Sequence, residues 1–147
     1  MIYAGLYGES SVQRVLDFVQ IAMSFEGVVP VLIRPIGAAA QIGVPEAFKI
    51  SLRRGRPIVV LPEILDLANA LGAKEIYYVG EEGGEENLAS LIRQRDGVAL
   101  VLASEGQEPS KKELAGAKVV WPSGVPRGLP PAGVLAIVLY NSLKIVT

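Results

Sequence analysis

Short aliphatic runs alternate with amphipathic segments along the whole chain, and this alternation is the feature that most restricts the fold. It is typical of a parallel sheet whose strands are buried on both faces and joined by helices. The predicted strands cover residues 2–6, 28–33, 57–61, 75–79, 99–102 and 118–121. The sequence therefore predicts one α/β domain over residues 1–147, with a mostly parallel sheet of about six strands and helices on both faces.

Helix start and stop signals fall between these strands. The predicted helices cover residues 10–25, 45–55, 62–72, 85–95 and 132–144. Ser10 is expected to cap the first helix, and Gly27 follows its end. The fourth helix is expected to begin with the acidic residues Glu85 and Glu86, which the helix dipole favours. Residues 80–87, "GEEGGEEN", are the most loop-like segment of the chain.

Composition excludes several classes of active site. The chain has no cysteine and no histidine, so it lacks thiolate nucleophiles, imidazole bases and the usual ligands of zinc and iron. Metal chemistry would need carboxylates alone, and we predict no metal site. The net charge of −1 argues against broad electrostatic capture of nucleic acid, so any RNA contact would be local. Neither a phosphate-binding P-loop nor a dinucleotide-binding Gly-x-Gly-x-x-Gly motif is present.

The most apolar segment, "AGVLAIVLYNSLKIV", does not predict a membrane span. Asn141, Ser142 and Lys144 interrupt it, and it is shorter than the roughly 18 residues that a span requires. The chain begins directly with the strand-like "IYAGLY" and shows no basic region before an apolar core, so we expect no secretory signal. These features favour a cytoplasmic location without a membrane partner.

Three loops that follow predicted strands are unusual, and ligands of open α/β sheets bind at such strand ends. They read "YYVGEEGG", "LASEGQEPS" and "VVWPSGVPRGLPPAG". The order "LVLASEG", "KVVWPSG", "GLPPAGVLAIVLYNSL" resembles the C-terminal half of SpoU-type RNA methyltransferases of the SPOUT superfamily. In that family a strand ends in Gly-Asn-Glu-Gly-x-Gly, a later strand ends in Ile-Pro, and Ser-Leu-Asn-Val-Ser begins the last helix.

The resemblance implies a C-terminal deep trefoil knot and a pocket for S-adenosylmethionine. Ala103 stands at the family glycine, Ser104 at the amide, and Glu105 and Gly106 at the glutamate and glycine that follow. Trp121 takes the isoleucine position. The implied cofactor-binding residues are Val79, Gly80, Ala103, Ser104, Gly106, Trp121, Pro122, Leu129, Pro131 and Ala132.

The resemblance also implies catalytic residues. The family's first motif has asparagine, then glycine two residues later and a catalytic arginine six residues later, and Gly8, Ser10 and Arg14 occupy those spacings. We therefore name Arg14 and Glu105 as candidate catalytic residues. The polar residues of the last motif are replaced by Pro130 and Ala132.

Each of these residues also has a plain structural interpretation. Glu105 could satisfy loop amides only, Arg14 could be a solvated helix arginine, and Trp121 could pack in the core instead of walling an adenine. The cluster "SLRRGRP", with Arg53, Arg54 and Arg56, is either a solvated helix end or an RNA phosphate contact. The apolar stripe of the last helix fits a homodimer interface or burial within one subunit.

The leading hypothesis is an S-adenosylmethionine-dependent RNA methyltransferase, with ribose 2'-O-methylation of tRNA or rRNA as the reaction that the resemblance implies. RNA would be delivered by a partner protein or bound directly. One alternative is a catalytically degenerate knotted dimer that binds S-adenosylmethionine or RNA. Another is a metal-dependent nuclease, for which Asp96, Glu105 and Gln107 loosely imitate the required carboxylate pattern.

Overall fold

Six parallel strands form a single sheet, as the sequence predicts. The structure, a computed structural model, describes residues 1–143. The strands are β1 (Ile2–Tyr7), β2 (Val28–Ile33), β3 (Val59–Leu61), β4 (Glu75–Glu86), β5 (Val98–Ala103) and β6 (Lys118–Pro122). Their order across the sheet is β3-β2-β1-β5-β4-β6. All paired strands are parallel, so all the carboxyl ends meet at one edge.

Within residues 1–143 there are five α-helices, of which the first four lie between strands and the fifth follows β6. They are α1 (Val12–Met23), α2 (Val44–Arg54), α3 (Asp66–Asn69), α4 (Leu88–Gln94) and α5 (Pro131–Tyr140), and a π-helical turn, Ala39–Gly43, leads into α2. Ser11 caps α1 by accepting a hydrogen bond from the backbone N–H of Arg14 at 3.3 Å, so the predicted cap at Ser10 is wrong by one residue. The predicted end of the last helix at Lys144 lies outside the described residues.

The sheet is buried on both faces, which explains the aliphatic runs. One hydrophobic cluster packs β1, β2, β4 and β5 against α1, α2, α4 and α5, and it contains the fully buried Phe18 and Leu100. A second cluster covers the opposite face, where Leu67 of α3 packs on Val31 and Val101. Neighbouring residues of one strand point to opposite clusters, so a central strand needs apolar residues at nearly every position.

Three predicted elements differ markedly from the observed ones. The glycine-rich residues 80–87 continue β4 to Glu86 instead of forming a loop, because Gly84, Glu85 and Glu86 pair with β6 after an irregularity in the register. The predicted acidic start of the fourth helix is therefore wrong, and Asn87 caps α4 by accepting from the N–H of Ser90 at 3.1 Å. The third helix is also much shorter than predicted, because residues 62–65 form turns.

The carboxyl edge of the sheet gathers the loops that the sequence singles out. Chain segments that leave β1, β4, β5 and β6 all begin there, whereas the end of α2 lies at the opposite, amino edge because it leads into β3. Within residues 1–143 no helix is long and apolar enough to cross a membrane.

Candidate ligand pocket at the carboxyl edge of the sheet

A pocket of about 520 Å³ lies at the carboxyl ends of β4, β5 and β6. Its volume falls within the range of small-molecule sites, roughly 300–1,000 Å³. The start of α5 and one residue of α1 complete its walls. The lining residues are Arg14, Tyr78, Val79, Gly80, Glu81, Glu82, Leu102, Ala103, Ser104, Glu105, Glu108, Trp121, Gly128, Leu129, Pro130, Pro131 and Val134.

A buried carboxylate fixes the floor of this pocket. Glu9 is only 1% exposed, and its Oε2 accepts hydrogen bonds from the N–H groups of Ser10 and Ser11, each at 3.0 Å. Its Oε1 accepts a hydrogen bond from the hydroxyl of Ser104, which is also buried. The register of the sheet explains the meeting, because Tyr7 pairs with Ala103 and the next residues of both strands therefore emerge side by side.

The loop after β5 is held by Glu108 and Gln107. The N–H of Gly106 donates to Oε2 of Glu108 at 3.1 Å, and Gln107 donates through Nε2 to the hydroxyl of Ser10 at 2.6 Å. Glu105 is exposed at the pocket, and none of the hydrogen bonds within residues 1–143 involves its carboxylate. The bracing of loop amides, which the sequence suggested for Glu105, is performed by Glu9 and Glu108.

The opposite wall is built by β4, β6 and the segment after β6. The N–H of Gly128 donates to Oε1 of Glu81 at 2.9 Å, and the guanidinium of Arg127 donates to the carbonyl of Glu81. That guanidinium also lies 5.1 Å from the ring centroid of Trp121. Trp121 is 4% exposed, and its indole N–H donates to the carbonyl of Val125 at 2.9 Å. Trp121 therefore packs in the core and forms part of the pocket wall at the same time.

Most of the cofactor-binding residues named from the sequence lie together around this pocket. Val79, Gly80, Ala103, Ser104, Trp121, Leu129 and Pro131 line it, together with Arg14 and Glu105. Gly106, Pro122 and Ala132 are close in sequence but do not line it. The structure shows that these residues lie at the pocket, and their roles in binding or catalysis stay predictions.

Residues of this region that were not predicted from the sequence include Glu9, Tyr78, Glu82 and Glu108. Burial raises the pKa of the Tyr78 phenol from the usual 10.0 to about 12, with further contributions from the negative charges of Glu108 and Glu82. A signal for Glu9 was present, since an acidic residue two positions after the first strand and directly before two serines can accept hydrogen bonds at the start of a helix.

The basic cluster at the end of α2 is far from this pocket. Arg53 and Arg54 are exposed at the amino edge of the sheet. Arg56 is occupied, because its guanidinium donates to the carbonyls of Met23, Phe25 at 2.7 Å and Val28 at 3.2 Å. The interpretation of Arg56 as a phosphate contact is therefore wrong: its donors satisfy the carbonyl groups between α1 and β2.

The carboxylate pattern considered for a metal-dependent nuclease does not assemble. Asp96 precedes β5, whereas Glu105 and Gln107 follow its opposite end. Six residues of strand separate these groups, a span of about 20 Å. Within residues 1–143, no group of three or more histidine, cysteine, aspartate or glutamate side chains could hold a metal ion. The described residues therefore do not fit the carboxylate-bound metal of such an enzyme.

Solved structures with this fold include methyltransferases. A Bacillus anthracis protein described as an RNA methyltransferase is 14% identical, with a TM-score of 0.69 over 96% of this chain and 91% of that one. The SpoU methyltransferase AviRb of Streptomyces viridochromogenes, solved with AdoMet, is also 14% identical, with a TM-score of 0.67 over 95% of this chain and 58% of that one. At this identity the likeness shows the fold, and it confirms the predicted SPOUT-like architecture.

Sequence comparison corrects the predicted function. Residues 37–141 match the family described as RecB-family nuclease (DUF2122). An Aeropyrum pernix protein that bears the name of a type II restriction enzyme is 35% identical over 141 residues, which cover 95% of this chain and 90% of the relative. The prediction of an RNA methyltransferase is contradicted by these two matches, both of which carry nuclease names. The chain belongs to the RecB-family nuclease (DUF2122) family.

Proposed function

We propose that the pocket at the carboxyl edge is a binding site for S-adenosylmethionine. The observation that carries this proposal is the coincidence of a pocket of about 520 Å³ with the three strand-end loops, in a fold that one solved neighbour displays with AdoMet bound. A small residue such as Ala103 leaves backbone groups open to a ligand, while Leu129 and Val134 supply apolar surface for an adenine.

The buried tether between Glu9 and Ser104 supports the same proposal. A ligand site needs its loops held in one geometry before binding, since ordering them on binding lowers affinity. Here Glu9 joins the start of α1 to the loop after β5, and Glu81 joins the loop after β6 to β4. Arg14 reaches the pocket from α1, and its guanidinium forms no ion pair within residues 1–143. We propose that Arg14 and Glu105, which both line the pocket, contact the bound ligand.

The single tryptophan provides a direct test, because Trp121 is part of the pocket wall. Titration with S-adenosylmethionine should change its fluorescence saturably, and calorimetry should give one site per chain. Leu129→Asp, which places a charge in the pocket wall, should weaken binding more than tenfold, whereas Leu52→Asp on the exposed face of α2 should not change it. Absence of heat and of a fluorescence change at high micromolar ligand would overturn the proposal.

Cleavage of nucleic acid is the second candidate function, and family membership is the observation that favours it. The test is incubation of labelled DNA and RNA with the purified protein, with Mg²⁺ and with a chelator. Cleavage that the chelator abolishes would support the nuclease and contradict the absence of a metal site among the described residues. No cleavage of either substrate under both conditions would count against it.

A second copy of the chain is the partner that we propose for α5. This helix is apolar around nearly its whole circumference: Val134, Leu135, Val138 and Leu139 are buried, whereas Tyr140 is 69% exposed. RNA is the second proposed partner, with Arg53 and Arg54 as candidate contacts. Sedimentation of the wild type and of Tyr140→Glu tests the homodimer, since the introduced charge should shift the protein towards a monomer.

A further inference from the structure

The pocket lining carries an excess of negative charge. The lining contains one arginine and four glutamates, which gives it a formal charge of −3 at neutral pH. Two of these glutamates come from different strand ends: Glu82 belongs to β4, and Glu108 belongs to the loop after β5. An excess of negative charge around a concave site favours cationic ligands over neutral ones of the same shape.

The missing side chain of Gly80 makes room for one of these carboxylates. A Cβ atom at position 80 would lie 2.8 Å from Oε1 of Glu82 and 2.9 Å from Cε2 of Tyr78. The Glu82 carboxylate therefore lies beside Gly80, in the space that a side chain at position 80 would fill. Glu108 belongs to the loop after β5, where its Oε2 accepts the Gly106 N–H at 3.1 Å.

Tyr78 lines the pocket together with these two glutamates and has an unused hydroxyl. Its side chain lines the pocket although the residue is 97% buried, being only 3% exposed. No hydrogen bond within residues 1–143 involves its hydroxyl, in contrast to those of Tyr3, Tyr7 and Tyr77. Burial, and after it the negative charges of Glu108 and Glu82, disfavour the phenolate and raise the pKa of Tyr78, so the hydroxyl stays neutral and free to bond a ligand.

We propose that Glu82, Glu108 and the Tyr78 hydroxyl form a recognition end for positive charge, which makes the pocket selective for the cationic S-adenosylmethionine over the neutral S-adenosylhomocysteine. This inference rests on the proposed function of the pocket. The two ligands share adenine, ribose and the amino-acid tail, and they differ by the methyl group and the positive charge on sulfur. The carboxylates attract both the sulfonium and the ammonium group of S-adenosylmethionine. S-adenosylhomocysteine has a neutral thioether in place of the sulfonium, so only the attraction to its ammonium group remains.

Calorimetric titration of the intact protein with S-adenosylmethionine, S-adenosylhomocysteine and adenosine tests the inference. The wild type should bind S-adenosylmethionine about tenfold more tightly than S-adenosylhomocysteine, and the ratio should shrink with added salt because the carboxylates are exposed. Glu82→Gln and Glu108→Gln should each weaken S-adenosylmethionine about three- to tenfold while changing adenosine affinity less than about twofold. Tyr78→Phe should weaken both amino-acid-bearing ligands relative to adenosine.

Glu26→Gln is the matched control, because it removes the same charge from an exposed position at the amino edge of the sheet. It should leave all three affinities unchanged. Equal affinity for the two adenosyl amino acids, or equal weakening of adenosine and S-adenosylmethionine by the Glu82 and Glu108 variants, would overturn the charge selection and leave the binding site in place. Failure of all three ligands to bind would overturn the proposed function itself. Unfolding curves of every variant confirm that the fold is retained.

Discussion

The carboxylate of Glu9 accepts a hydrogen bond from the hydroxyl of Ser104, which lies 95 residues further along the chain. Both side chains are buried, at 1% and 3% exposure, and the same carboxylate accepts two N–H groups at the start of α1. A buried carboxylate persists only where hydrogen bonds compensate the loss of water. Glu9 therefore joins the first helix to the loop after β5, beside the pocket.

Glu9→Gln tests this tether. The amide has one acceptor oxygen where the carboxylate has two, so it leaves either Ser104 or the helix N–H groups without a good partner. We expect a loss of about 1–3 kcal/mol in the free energy of unfolding, measured by urea denaturation. Glu26→Gln, at an exposed position, should change that free energy by less than about 0.5 kcal/mol. Equal effects of the two substitutions would contradict a structural role for the tether.

Gly83→Ala tests the close contact between β4 and β6. A Cβ atom at position 83 would lie 2.6 Å from the backbone N and Cα of Val120, which cannot move without disturbing the strand pair. The substitution should reduce the free energy of unfolding by about 2–3 kcal/mol, because a side chain that overlaps the backbone of β6 forces β4 and β6 apart. Gly84→Ala is the control, since a Cβ there meets nothing within 4 Å. Equal stability of the two variants would show that the strands separate more easily than the contact implies.

The raised pKa of Tyr78 leads us to expect that the protein loses stability at high pH. The pKa of the Tyr78 phenol is about 12 in the folded chain, against the usual 10.0 for a phenol in water, mainly because burial disfavours the phenolate. Below pH 10 both states hold the proton and the full contribution is present. As pH rises from 10 to about 12 the unfolded chain releases the proton first, so the free energy of unfolding falls by up to about 2–3 kcal/mol.

Denaturant curves between pH 9 and about 12 measure that loss. Tyr78→Phe should remove most of it, and a residual slope should remain because burial also raises the pKa of Tyr77. Tyr140→Phe, which changes an exposed phenol, should retain the wild-type pH dependence. An unchanged slope in Tyr78→Phe would show that its phenol ionises as readily in the folded chain as in the unfolded one.

The parts of the fold that depend on local pattern could be predicted from the sequence, and the parts that depend on distant partners could not. The strand over residues 28–33 is apolar throughout, and its predicted bounds match β2. The extension of β4 through Gly83 and Gly84 has no strand pattern of its own and exists because β6 pairs with it. The bracing of backbone groups that the sequence suggested for Glu105 is performed in part by Glu9 for the same reason: only the register of β1 against β5 places Glu9 beside Ser104.

The position of the candidate site could also be predicted from the sequence, whereas the reaction could not. Loop order at the carboxyl edge predicted where a pocket lies and which fold carries it, since the sheet topology brings those loops together. The reaction could not be predicted in this way, because one fold supports many activities and the family match names a different one.

The arginines at the end of α2 differ in their contacts, because Arg56 binds backbone carbonyl groups whereas Arg53 is exposed to solvent. Arg56→Ala leaves the carbonyls of Met23, Phe25 and Val28 without their donor and should cost about 1–3 kcal/mol of unfolding free energy. Arg53→Ala should cost less than about 0.5 kcal/mol, since that side chain is exposed. If the cluster contacts RNA, the Arg53 variant should weaken binding in a fluorescence anisotropy titration and reduce its salt dependence. Loss of stability in Arg53→Ala, or none in Arg56→Ala, would contradict this separation.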